Sequence, residues 1–108
     1  MSLADNSERF SPMTEKVSKE QINAAFEAVK TKLEKAMEKY GNKPFSSVYS
    51  AMGVVLEEWN EVQQAIHEYK EIHPDVLSEF EDLCVVSLWA IVSFQSKLGE
   101  EQLHIGDK

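Results

Sequence analysis

The sequence predicts an all-α protein: a helical bundle of about three long helices, completed by oligomerisation. Three observations predict it. Apolar residues recur at intervals of three and four along three separate stretches, the spacing that gathers side chains on one side of an α-helix. Capping and turn residues stand between those stretches. No run of useful length alternates polar and apolar residues as a strand would. The 108 residues suit one small domain.

The elements follow in order. Residues 1–17 are polar and mixed in charge, without the apolar core of a secretory signal, and read as a flexible N-terminal arm before a single helical domain over 18–108. Ser18 and Gln21 have the form of a capping box. After them Ile22, Ala25, Phe26, Val29, Leu33, Ala36, Met37 and Tyr40 keep helical spacing, which predicts a first helix over 19–40. Gly41 suits a left-handed cap, and Asn42 and Pro44 reinforce the stop. A second helix starts at Phe45 and Ser46 and reaches about Lys70, with Val48, Met52, Val55, Leu56, Trp59, Val62, Ile66 and Tyr69 in period.

Pro74 opens the third helix, where its missing N–H costs nothing. From Leu83 to Phe94 that helix is apolar almost all round, broken only by Ser87 and Ser93. Such a helix must be covered on every side, and two others in so short a chain cover about half of it. The uncovered remainder predicts an obligate oligomer, a dimer or a tetramer. Gly99 is expected to cap the helix, leaving a short polar tail with room for one more turn.

The formal charge of −8 disfavours a nucleic-acid polymer or an anionic membrane as partner. No stretch reaches the roughly 18 apolar residues of a membrane span. The single cysteine, Cys84, sits in an apolar run, so no internal disulfide is possible. The expectation is a buried, reduced thiol in a cytoplasmic protein.

Two acidic pairs carry the functional signal: Glu58 and Glu61 in LEEWNEV, and Glu79 and Asp82 in SEFEDL. Residues three apart share one side of a helix, so antiparallel packing of the second and third helices would bring the pairs face to face. Four carboxylates in one pocket call for a hard cation, Mg²⁺ or alternatively Mn²⁺. Asp82 adjoins the apolar run and is expected to be partly buried, a setting in which carboxylates are paired or metal-bound. Glu34 and Glu38, among lysines, read as a solvated face.

The pattern EExxE followed by ExxD, here Glu57, Glu58, Glu61, Glu79 and Asp82, resembles the signature of the MazG-like all-α nucleoside triphosphate pyrophosphohydrolases. The likeness covers roughly residues 45–94, and EKYG followed by PFSSVYSAMGVVLEEWNEV is similar to small MazG-like proteins. It implies that Glu58, Glu61, Glu79 and Asp82 hold Mg²⁺, with Glu57 as a fifth acid. The implied reaction cleaves a (d)NTP or related nucleotide between its α- and β-phosphates, giving the monophosphate and pyrophosphate. Typical members add a basic or amide side chain from a following helix. Here Lys97, Lys43, Lys70 or a neighbouring subunit would have to supply it.

Trp59 and Tyr49 are candidates to stack a base, although an aromatic on the apolar side of a helix is more often core. His67, Glu71 and His73 form a weaker candidate zinc set. The alternative function is a non-catalytic helical oligomerisation module in which the acids decorate the surface or bind a structural ion.

Overall fold

A computed structural model describes residues 16–106, with side chains described over 16–99. Three helices make it up: α1 (Lys19–Tyr40), α2 (Val48–Tyr69) and α3 (Pro74–Gly106), with no strand among the described residues. Each start has a local cause. Ser18 accepts from the Gln21 N–H at 3.1 Å while Gln21 Oε1 accepts from the Ser18 N–H at 2.7 Å. Ser47 and Ser50 make the same reciprocal pair, both contacts at 3.1 Å. Two otherwise orphaned N–H groups are satisfied at each of these ends.

The ends differ from one another. Gly41 closes α1 at φ 89°, donating its N–H to Met37 O at 2.8 Å. α2 closes on Lys70, a left-handed residue at φ 57° that donates to Ile66 O. The expected start of α2 at Phe45 and Ser46 moves to Val48, because the serine pair caps it there. The expected cap at Gly99 does not form: α3 runs through it to Gly106. A glycine inside a helix costs only about 1 kcal/mol, and the good helix formers that follow carry the helix on. The proposed N-terminal arm lies almost entirely outside the described residues.

α3 is the central element. α2 and α1 each pack against it, and they do not pack against one another. α2 runs antiparallel to α3, which sets Glu58 and Glu61 across from Glu79 and lets the Phe45 N–H reach Ser93 Oγ at 3.0 Å. α1 runs in the same sense as α3, from Lys32 beside Ser78 and Asp82 to Lys43, whose carbonyl accepts from Trp89 Nε1 at 3.1 Å.

Among the described residues the buried apolar side chains are Ala51, Val62, Ala65 and Val85, and α1 buries none. Most of the apolar stripes of α1 and α2 therefore stay open in the single chain. Phe26 is 70% exposed, Met52 53% and Leu56 51%. Trp59, read as core in the sequence, is 42% exposed, and Cys84 is exposed rather than buried. For α1 and α2 the reason is geometric: a stripe of the usual width needs more than one neighbour to cover it, and among the described helices each packs only on α3. Ile91, Val92 and Leu98 of α3 are exposed as well. No helix among the described residues is long and apolar enough to cross a membrane.

Candidate functional site

The antiparallel seam of α2 and α3 converts two helical spacings into one cluster. Glu58, Glu61 and Glu79 each offer a carboxylate oxygen, and the three oxygens lie within 4.8 Å of one another. Oxygens sharing one hard cation at 2.0–2.6 Å stand at most about 4–5 Å apart. The trio has the right donors at the right spacing.

Two oxygens of these glutamates show why the cluster is unusual. Glu58 Oε2 and Glu79 Oε2 are shut off from solvent and have no hydrogen-bond partner. A buried carboxylate oxygen without a donor is costly. A proton or a cation relieves that cost. Burial, then the adjacent Glu61 carboxyl as a hydrogen-bonding neighbour, then the charges of Glu61, Asp82 and Glu79 push Glu58 up to about 7. Glu79 is also raised, by burial first and then by the charges of Glu61 and Asp82, with Lys32 pulling the other way. Orphaned oxygens of this kind fit a divalent ion, and Glu58, Glu61 and Glu79 would hold it.

Asp82 stands beside the trio rather than in it. Its Oδ1 accepts from Lys32 Nζ at 3.0 Å. The same amine reaches Glu81 Oε1 at 3.1 Å, Ser78 O at 3.1 Å and Ser78 Oγ at 2.9 Å. Burial draws the Lys32 ammonium down, and the hydrogen bonds and charges of Asp82 and Glu81 more than reverse this, leaving it raised. Lys32 is thus a fixed cation between α1 and α3. Sequence reasoning passed over it, since α1 reads as an ordinary amphipathic helix and Lys32 meets its partners only across 46 to 50 residues of chain.

A cavity of about 650 Å³ adjoins the acids. It is the groove left where α1 and α2 fail to meet, floored by α3. Leu33, Met37, Phe45, Val54, Val85 and Trp89 give it apolar walls, and Lys32, Glu57, Glu58 and Asp82 also line it. Glu57 is therefore at the site, on the groove side. The lysine from the loop, Lys43, lines the groove too.

The other sequence candidates lie elsewhere. Tyr49 is 75% exposed and, like Trp59, does not line the groove. Trp89 is the tryptophan that does. Lys97 is exposed and stands fifteen residues beyond Asp82 on α3, about 22 Å along the axis. Lys70 is the exposed cap of α2. His73 stacks on Tyr69 with ring centres 3.6 Å apart, and its Nδ1 accepts from the Asp75 N–H at 3.0 Å. That histidine fastens the α2–α3 link.

Comparison of the chain with family models, with curated proteins and with solved structures gives no match.

Proposed function

We propose that this chain is a divalent-metal-dependent nucleotide pyrophosphohydrolase, acting on a (d)NTP or related nucleotide and releasing the monophosphate and pyrophosphate. The observation that carries the reading is the convergence of Glu58, Glu61 and Glu79, two of them with buried, partnerless oxygens, at the edge of a nucleotide-sized apolar groove. When bound, Mg²⁺ or Mn²⁺ would neutralise phosphate charge and make a water acidic enough to attack. The chain's own residues do the rest. Apolar walls between α1 and α2 exclude water and receive a flat ring. The acids mark the end at which phosphates belong, because a bare triphosphate is repelled there and a metal-bound one is attracted. Lys32 supplies the positive charge sought for the phosphates, from α1 rather than from a later helix.

The reading includes self-association. The open stripes of α1 and α2 and the exposed Ile91, Val92 and Leu98 of α3 leave many large apolar side chains bare, and contiguous apolar surface marks an interaction face. A second copy of the chain, as dimer or tetramer, would cover it. Those same faces favour the assembly module as a second reading, one in which the acids bind an ion without turnover.

The test is pyrophosphate release from a panel of nucleoside triphosphates with Mg²⁺, with Mn²⁺ and with chelator. Turnover is expected with metal, none with chelator, and a fall of about 10²-fold or more in Asp82→Asn with helicity intact. A folded protein that releases no pyrophosphate from any nucleotide leaves the assembly module as the surviving reading.

A further inference from the structure

Asp82 is the one member of the two acidic pairs that is turned aside, and the group holding it is a lysine with more acceptors than protons. An ammonium has three N–H donors. Lys32 Nζ faces four acceptors: Ser78 O, Ser78 Oγ, Glu81 Oε1 and Asp82 Oδ1, all between 2.9 and 3.1 Å. If Asp82 leaves, three acceptors remain for three donors. Glu81 stays as the lysine's counter-ion, and the place that Asp82 would vacate is open to another anion, so Asp82 is the partner that an incoming phosphate can replace. Asp82 in turn is close enough to the trio to bear on both Glu58 and Glu79 by charge. Its side chain is 40% exposed, which leaves room to move. Both residues line the groove in which a ligand would sit.

We propose that Lys32 is a positioning residue that holds Asp82 back from Glu58, Glu61 and Glu79, and yields it when the phosphates of a ligand in the groove occupy the lysine instead. The inference rests on the metal-dependent reading above and adds a sequence of events to it. With the groove empty, three carboxylates face the cation. With the groove filled, an anionic phosphate would take the place of Asp82 on Lys32, and Asp82 would be free to join Glu58, Glu61 and Glu79 in holding a cation. Fewer negative charges are then crowded together in the resting protein than four free carboxylates would bring.

A double-mutant cycle on Mn²⁺ affinity, measured by titration calorimetry on the full chain without nucleotide, tests this. Asp82→Asn is expected to weaken Mn²⁺ by about threefold or less while Lys32 is present, because Asp82 then acts on the ion through its charge and not as a ligand. Lys32→Met is expected to tighten Mn²⁺ about tenfold, and in that background Asp82→Asn should abolish the gain. Lys32→Arg keeps a cation on Asp82 and should behave as the native chain. Lys32→Gln, which still donates to Ser78, replaces Lys32→Met if the latter does not fold by circular dichroism. Loss of a nearby positive charge acting only through the general field would tighten Mn²⁺ equally with and without the Asp82→Asn substitution, and that result overturns the latch, as does no tightening at all. Either of those leaves the metal-dependent reading standing. Absence of Mn²⁺ binding in every chain, the native one included, overturns both.

Discussion

The α2–α3 seam holds polar groups in two places and treats them in opposite ways. Near the loop end, Ser93 is 1% exposed and its Oγ accepts from the Phe45 N–H at 3.0 Å. At Glu79, about 21 Å away along α3, and at Glu58 across the seam from it, the Oε2 atoms are also cut off from water and have no donor. The first is a polar group whose hydrogen bond is made within the chain, so it fastens the fold. The second is left open by the chain itself, a cost to stability that only a proton or a cation removes. A buried polar group that finds its partner reads as structure, and one that does not marks the place where something else binds.

The contrast can be broken at three points. Val62, fully buried beside the acids, is the apolar support of the open end. Val62→Ala is expected to cost about 2–3 kcal/mol in urea unfolding, from two lost carbons and the cavity they leave. A change within experimental error would mean that the seam collapses freely there.

At the closed end, Ser93→Ala strands the Phe45 N–H and should cost about 1–2 kcal/mol. If Ser93→Ala is neutral, the loop N–H finds water and the fastening role is wrong.

The smallest effect is the pH slope of the open end. Glu58 titrates at about 7 in the folded chain against an ordinary 4.5, so the folded state binds more protons between those values. The stability it contributes is present in full below about pH 4.5 and is lost as pH climbs through about 7. The melting temperature of the cation-free protein should fall over that window and recover on adding Mg²⁺, which then takes the place of the proton. Glu58→Gln should flatten the slope. A slope unchanged by Glu58→Gln would place the titrating group elsewhere.

What could be read from the sequence divides along the range of the interactions. α1 begins and ends where its capping residues say, and Pro74 opens α3, because a cap is a contact between residues three or four apart. The trio of glutamates was legible for a related reason: helical spacing fixes each pair, and one antiparallel seam is enough to join them. Gly99 misled because a glycine stops a helix only where the chain turns left-handed after it. Lys32 was invisible because its role depends on which helix lies beside α1. The exposure of Trp59, Cys84 and the α1 stripe depends on how many neighbours each helix has, which periodicity does not count.

α1 has no fully buried residue and, among the described helices, packs only on α3. Its helicity therefore depends on the lysine at its middle and on the half-buried Leu33, Ala36 and Met37. Such an element can detach as a unit while α2 and α3 stay joined, so its amides would exchange with solvent by a partial opening well below the energy of global unfolding. Since α1 is one wall of the groove, whatever fills the groove must hold that wall in place. Part of every ligand's binding energy then goes into quieting a helix, and the exchange rate of α1 becomes a gauge of occupancy.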